Sequence, residues 1–226
     1  MQSSRSTTCN FPLKLNTKVG PAEKLGGMAE VQRVPSRELE LFIVRRFLEP
    51  ATCAALIERI DRHRRPSEIA DDIGIARFRT SETCDLDWND AVVRDVDQRI
   101  AALLGLELSA GEPLQGQRYA PGQEFKAHTD TFEPGGYDFL VHTASTGQRT
   151  WTAMVYLNEP LEGGATRFKR VGKTVRPETG KLLAWNNLLA DGHPNPATLH
   201  EGMKVRRGSK YVLTKWFRQR PPAANA

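Results

Sequence analysis

The chain has 226 residues, of which 39% are hydrophobic and 26% charged, a composition typical of one soluble globular domain with a substantial core. No apolar run approaches the roughly 18 residues of a membrane-spanning helix, and residues 1–20 lack the apolar stretch of a secretory signal, so the sequence predicts a cytoplasmic protein. Three cysteines without paired spacing argue against a disulfide framework or a cysteine-based zinc site.

The net charge of +5 raises the question of a nucleic-acid partner. Much of the positive charge lies after residue 200, where basic and apolar residues alternate as on a half-solvated strand. One acidic residue, Glu201, stands there against seven basic ones: Lys204, Arg206, Arg207, Lys210, Lys215, Arg218 and Arg220. We therefore expect neither a nucleic-acid nor a membrane partner, and nothing in the sequence indicates the oligomeric state.

The chain begins with a segment of low periodicity, followed by a strand and a helix. Residues 1–35 are rich in Ser, Thr and Lys and carry two glycine turns, which predicts a disordered tail. The run LELFIVRRFL, residues 39–48, predicts a strand, and Pro50 is a suitable first residue for a helix. An amphipathic helix follows, whose apolar face comprises Cys53, Leu56, Ile57 and Ile60.

A short strand, ARFRTSETCDL, precedes a second predicted helix. Asp87 can cap this helix and Gly105 ends it, with Val92, Val96, Ile100, Leu103 and Leu104 along its apolar side. Residues 36–110 are thus interpreted as a support region of the same domain as residues 111–221.

After Gly111 the pattern changes to short strands separated by turns. The predicted strands are LQGQRY, EFKAHTD, RTWTAMVYLN, GGATRF, KTVRP, KLLAWN, ATLHEGMKV and KYVLTKWFRQR. Eight short strands after a helical first half predict a mainly β fold with flanking helices, an antiparallel barrel or jelly roll with the helices packed outside.

The strand EFKAHTD carries His128 and Asp130 two residues apart, so both side chains face the same way. Two ligands on one strand need a third from another strand to hold a metal ion. His63, His142, His193 and His200 are the candidates, and His200 is favoured because it opens the strand-like segment LHEGMKV.

Two histidines and one carboxylate form the open triad of non-haem Fe(II) oxygenases, although the same ligands also suit zinc. Three protein ligands leave iron three octahedral positions, enough for a chelating 2-oxo acid and dioxygen. The distal carboxylate of such a cosubstrate needs a cation inside the barrel. Lys210, ten residues after His200, suits this role.

Four segments in order resemble the prolyl 4-hydroxylase family of Fe(II)/2-oxoglutarate dioxygenases. They are RYAPGQEFKAHTD, GQRTWTAMVYLNEPLEGGATRF, VRPETGKLLAWNN and LHEGMKVRRGSKYVLTKWFR, and RFRTSETCDL resembles the Arg-Thr-Ser stretch ahead of them. The resemblance covers residues 77–220. It implies a double-stranded β-helix (jelly-roll) core and a hydroxylase that uses Fe(II), 2-oxoglutarate and O₂, with ascorbate to rescue oxidised iron.

The resemblance also assigns roles to particular residues. It implies iron ligation by His128, Asp130 and His200, and a contact between Lys210 and the C5 carboxylate of 2-oxoglutarate. It implies cosubstrate contacts from three further residues, Tyr119, Thr166 and Trp216. Arg149 matches a family arginine near the substrate and is our candidate catalytic residue.

The chain departs from the family at two points on the substrate side. Phe125 stands where the family often has tyrosine, and the long segment 131–148 predicts a lid or rim loop. Prolyl residues of a peptide or protein are the expected substrate, and a free amino acid or another small molecule is the alternative. A nucleic-acid demethylase and a 2-oxoglutarate-binding protein without turnover are the remaining hypotheses.

Overall fold

The computed structural model describes residues 19–67 and 78–222. The helices there are α1 (Pro21–Gly26), α2 (Pro50–His63), α3 (Ala91–Leu104) and α4 (Tyr137–Thr143). The strands are β1 (Val31–Arg33), β2 (Leu41–Val44), β3 (Arg65–Pro66), β4 (Glu82–Asp85), β5 (Gln115–Tyr119), β6 (Phe125–His128), β7 (Arg149–Tyr156), β8 (Glu162–Gly163), β9 (Thr166–Phe168), β10 (Lys173–Val175), β11 (Leu182–Asn186), β12 (His200–Gly202), β13 (Val205–Arg207) and β14 (Lys210–Arg218). No helix of this part of the chain is long and apolar enough to cross a membrane.

The strands form a large and a small antiparallel sheet and one short pair. The large sheet has the order β1-β2-β11-β7-β14-β5-β4-β3, the small sheet β10-β9-β12-β6, and β13 pairs with β8. Strands far apart in sequence are neighbours in both sheets, so neither sheet is a simple meander. This arrangement agrees with the jelly roll expected from the sequence.

Each face of the large sheet has its own apolar core. On one face, α1, α2 and α3 cover side chains such as Val155 and Leu213. On the other face, Met154 and Trp185 of the large sheet belong to one buried cluster with Phe168 of the small sheet. The alternation of side chains along β7 and β14 thus supplies both cores, and the second lines the interior between the sheets.

The start of α3 differs from the sequence prediction. Asp90, not Asp87, is the N-cap, and its carboxylate accepts hydrogen bonds from the backbone N–H groups of Val92 and Val93. Asp87 instead accepts a hydrogen bond from the N–H of Asn89 in the preceding turn. Both aspartates can cap a helix, but Asp90 stands directly before the first helical residue. The predicted end at Gly105 is confirmed, with the residue left-handed at φ 69°.

The buried face of α3 is also rotated from the predicted one. It includes Val93, Asp97 and Ala101, whereas Val92 and Leu103 are only partly buried. Asp97 is tolerated inside because its Oδ1 atom lies 2.7 Å from Nζ of the equally buried Lys215. Apolar spacing alone could not indicate a buried ion pair between a helix and a strand.

The prediction of a disordered tail over residues 1–35 is wrong for residues 19–35, which contain α1 and β1. The Leu25 side chain is fully buried, and β1 pairs with β2 at the edge of the large sheet. These elements of six and three residues are too short to show a period in the sequence. Residues 1–18 lie outside the described part of the chain, as do residues 76 and 77 of the predicted strand ARFRTSETCDL.

Segment 131–148 contains the short helix α4. Hydrogen bonds join its C-terminal part to Arg218, the last residue of β14, and to Gln219. Arg218 donates hydrogen bonds to the carbonyl oxygen of His142 and to the Thr146 hydroxyl. The Gly147 side of the segment is held by Gln219, whose Oε1 accepts from the N–H of Gln148. The lid role of this segment stays a prediction.

Candidate metal and cosubstrate site

Strand pairing brings the three predicted metal ligands together. His128 at the end of β6 is directly opposite His200 at the start of β12. Asp130 follows two residues after His128, on the same side. One ligand atom from each residue lies within 4.8 Å of those of the other two, and Asp130 and His200 are buried. Within the described residues no other such cluster occurs.

Backbone carbonyl groups fix both imidazole rings. Nδ1 of His128 lies 2.7 Å from the carbonyl oxygen of Lys126, and Nδ1 of His200 lies 2.9 Å from that of Thr198. A neutral ring that donates from Nδ1 keeps its lone pair on Nε2, as metal ligation requires. Burial and the neighbouring His200 lower the pKa of His128 to about 3, so its ring is neutral at pH 7.

A chain of hydrogen bonds orients the carboxylate. Oδ2 of Asp130 accepts a 2.7 Å hydrogen bond from the Thr152 hydroxyl, whose oxygen accepts one of 2.8 Å from the Asn187 amide. Burial alone would raise the pKa of Asp130, but His200, the Arg149 guanidinium group and the Thr152 hydrogen bond hold it below its usual value. The carboxylate is therefore ionised, and its Oδ1 atom lies 4.0 Å from Nε2 of His128.

This donor set suits a divalent metal ion, because two imidazole nitrogens and one carboxylate oxygen lie within 4.8 Å of one another. All three residues line a cavity. The other histidines are elsewhere: His63 ends α2, His142 stacks on Phe132 with ring centroids 4.8 Å apart, and His193 lies in an exposed loop.

Lys210 lies in the same cavity as the cluster. Its side chain is 2% exposed, and Nζ lies 4.9 Å from the ring centroid of Tyr119 and 5.5 Å from that of Tyr156. Within the described residues no carboxylate lies within salt-bridge distance of it. Burial lowers the pKa of Lys210 to about 7. A buried cation without a counter-ion is costly, so this position is suited to an anionic ligand.

The three other predicted cosubstrate residues also line this cavity. Tyr119 pairs with Lys210 in the sheet, and Thr166 lies 2.7 Å from the Tyr156 hydroxyl. Trp216, near the opposite end of β14, has a buried indole N–H without a partner in the described structure. The Trp216 indole is therefore a donor of the cavity wall that is not used within the described residues.

Arg149 does not line the cavity itself but packs against Trp216, which does. Its Nε and Nη2 atoms donate to both oxygens of Glu112 at 2.7 and 2.6 Å, and its guanidinium group lies 4.0 Å from the ring centroid of Trp216. A longer contact of 3.4 Å joins Nη1 to the backbone carbonyl of Asp130. Arg218 shares Glu112 at 3.1 Å. The glutamate thus fixes Arg149 beside the predicted metal site.

Several residues of the site carry no signal in the sequence. Glu112 and Asn187 act from loops, and Thr152 is one strand threonine among many. Phe125 stacks on the His128 ring with centroids 3.6 Å apart, beneath the Arg79 guanidinium. Alternation along the strands could have indicated which residues point inward, but not their partners.

The model of the 2OG-Fe(II) oxygenase superfamily matches residues 114–218. This part of the chain belongs to that superfamily. The bovine prolyl 4-hydroxylase subunit alpha-1 is 33% identical over 166 residues, which cover 72% of this chain and 30% of the relative. The rat subunit is 35% identical over 149 residues, covering 64% and 27%. The chain thus spans less than a third of these relatives' length.

Solved structures agree on the fold. A viral collagen prolyl hydroxylase from Paramecium bursaria chlorella virus-1, in complex with 2-oxoglutarate, has a TM-score of 0.63 at 24% identity and covers 79% of this chain and 95% of its own. A Pseudomonas putida prolyl 4-hydroxylase has a TM-score of 0.55 at 21% identity, covering 79% and 92%. The predicted double-stranded β-helix is confirmed. Fe(II) and 2-oxoglutarate are named in the description of this superfamily, and the His-Asp-His cluster of this chain suits a divalent metal ion.

Proposed function

We propose that the chain is an Fe(II)- and 2-oxoglutarate-dependent dioxygenase that hydroxylates prolyl residues in a peptide or protein. One observation carries the proposal: a His-Asp-His cluster with two buried members shares a cavity with a buried lysine that has no carboxylate partner in the described chain. The prolyl 4-hydroxylase relatives support the substrate class.

His128, Asp130 and His200 are the proposed iron ligands. Bound Fe(II) would supply the activation of dioxygen that hydroxylation of an unactivated C–H bond requires. The protein's own contribution is orientation. The backbone carbonyl groups of Lys126 and Thr198 set the two rings, and Thr152 holds the carboxylate, so the ligands need little rearrangement on binding the metal.

Lys210 is the proposed partner of the C5 carboxylate of 2-oxoglutarate. Its ammonium group and the Thr166 hydroxyl face the cavity, and Tyr119 lies beside Lys210 across the strand pair. Burial raises the pKa of Tyr119, which keeps its hydroxyl protonated and able to donate. Trp216 is assigned to the wall of the same pocket, with its indole N–H free to donate.

Arg149 is the proposed substrate-positioning residue. The ion pair with Glu112 and the stacking on Trp216 hold its guanidinium group within reach of Asp130. A rigid cation beside Trp216, a residue of the cavity wall, can donate to a carbonyl oxygen of an extended peptide. A prolyl hydroxylase from Trichoplax adhaerens, with a TM-score of 0.60 at 14% identity, has been solved with a peptide fragment.

The chain organisation proposed from the sequence is a support region over 36–110 and an oxygenase core over 111–221. It is supported by the pairing of β2 and β4 with core strands, which makes both regions parts of one sheet. Cytoplasmic location stays a prediction of the sequence. We expect ascorbate to sustain turnover by returning oxidised iron to Fe(II).

The test is 2-oxoglutarate turnover against a panel of substrates, with the mass of each product recorded. The panel contains proline-rich peptides, the same peptides with alanine for proline, free proline and methylated DNA. The proposal expects succinate and a peptide heavier by one oxygen only when proline is present. Equal oxidation of the alanine peptides, or oxidation of free proline or DNA alone, would contradict prolyl residues of a peptide as the substrate. Binding of 2-oxoglutarate without succinate formation from any panel member would contradict the enzymatic role.

A further inference from the structure

Gln117, on β5, carries a buried side-chain amide of which only the oxygen has a hydrogen-bond partner in the described structure. The side chain is 2% exposed, and its Oε1 atom accepts a 2.9 Å hydrogen bond from the Thr214 hydroxyl. Its Nε2 atom is buried and has no partner among the described residues. Unpaired buried donors are rare in folded proteins and costly, so this amide needs an explanation.

The position of Gln117 points to the cavity as the explanation. Gln117 lines the cavity that holds the metal cluster and Lys210. It pairs with Val212 in the sheet, two residues along from the pair formed by Lys210 and Tyr119. Two residues of a strand rise about 6.6 Å. The two carboxylate carbons of 2-oxoglutarate are four carbon–carbon bonds apart, about 5 Å when extended. An extended molecule of this length that runs from Lys210 along the strands would bring its other end close to the level of Gln117.

The charge of the cavity wall favours an anion at this level. Asp130 is the one acidic side chain among the described residues that line the cavity, whereas Lys210 and Arg79 are basic. Within the described residues, the side-chain hydrogen bonds of Arg79 go to the hydroxyl groups of Ser81 and Thr83. Donors thus exceed acceptors on this wall, and Gln117 adds a donor without adding charge.

We propose that Gln117 is a cosubstrate-positioning residue, whose Nε2 donates to the carboxylate at the 2-oxo end of 2-oxoglutarate. The inference rests on the proposed function, because it assumes that Lys210 holds the distal carboxylate. Thr214 fixes the amide by occupying its oxygen, which leaves the N–H group directed to the ligand. The two ends of the cosubstrate are then held by different strands, Lys210 on β14 and Gln117 on β5.

The test compares Gln117→Leu with Gln115→Leu. Gln115 is a matched control on the same strand, because its Nε2 atom already donates to the exposed Asp85 on β4. Affinity for 2-oxoglutarate is measured on Mn(II)-loaded protein without a peptide, by titration calorimetry. We expect about ten-fold weaker binding for Gln117→Leu, since hydrogen bonds to charged groups are among the stronger ones. The control should bind as the wild type does.

Two further measurements separate positioning from a structural role. Gln117→Glu places a carboxylate against the ligand and should weaken 2-oxoglutarate binding more than Gln117→Leu. Mn(II) affinity without 2-oxoglutarate should be unchanged in both variants, because neither alters a proposed metal ligand. Gln117→Met, which keeps the length of the side chain without its donor, replaces the leucine variant if that variant does not fold.

The outcomes distinguish this inference from the proposed function. Wild-type protein that does not bind 2-oxoglutarate would overturn the proposed function, and this inference with it. Wild-type binding that both the leucine and methionine variants retain in full would overturn the role of Gln117 alone. If those variants changed only the KM of the peptide, the role of Gln117 in cosubstrate binding would also be overturned. The amide would then act on the peptide substrate instead.

Discussion

The buried ammonium of Lys210 makes 2-oxoglutarate binding sensitive to pH in a direction that the structure fixes. Its pKa in the free protein is about 7, lowered by burial from an ordinary 10.5. Below pH 7 the cation is already present, so affinity should be flat. Above pH 7 the free lysine is neutral and must take up a proton to receive a carboxylate. With a pKa of 7 in the free protein, affinity should fall about five-fold from pH 7 to pH 8 and about fifty-fold to pH 9.

The assay is calorimetric titration of Mn(II)-loaded protein with 2-oxoglutarate at several pH values. Repeating the pH 8 titration in buffers of different ionisation enthalpy gives the number of protons taken up on binding. We expect close to one proton per molecule of 2-oxoglutarate bound. Lys210→Met should bind 2-oxoglutarate weakly at every pH and take up no proton. A wild-type affinity that is constant from pH 7 to pH 9, or a slope that persists in Lys210→Met, would refute the assignment of Lys210.

Three further predictions concern the supporting residues. Thr152→Val removes the hydrogen bond to Asp130 and should lower metal affinity by about ten- to a hundred-fold, measured by competition with a chelator, while an unchanged affinity would deny the threonine this role. Glu112→Gln frees Arg149 and should raise the KM of the peptide while leaving 2-oxoglutarate affinity unchanged; equal effects on both would place Arg149 on the cosubstrate. Asp90→Ala removes the cap of α3 and should cost about 1 kcal/mol in urea unfolding, and no change would show that the cap contributes nothing.

The sequence predicted the β-rich part of the fold because turns and alternation are local signals. The strands that carry His128, His200 and Lys210 are present, and β12 pairs with β6 so that the two histidines meet. The helix α1 escaped prediction because its stability comes from Leu25, buried against distant elements rather than from a periodic face.

Within the site, residue types could be predicted but partners could not. The spacing of His128 and Asp130 indicates a shared face, whereas the hydrogen bonds from Thr152 and Asn187 come from residues more than 20 positions away. The pairing of Arg149 with Glu112 likewise joins residues 37 positions apart. Such contacts depend on how the sheets close, which no local pattern encodes.

The most direct test of the central claim is anaerobic titration of the protein with Fe(II) in the presence of 2-oxoglutarate. Wild-type protein and His193→Ala, a histidine outside the cluster, should each bind one Fe(II) per chain and develop the visible absorption of an iron–2-oxo acid chelate. His200→Ala should remain folded by circular dichroism and lose both the iron and the absorption. Normal iron binding by His200→Ala, or its loss in His193→Ala, would contradict the proposed metal site.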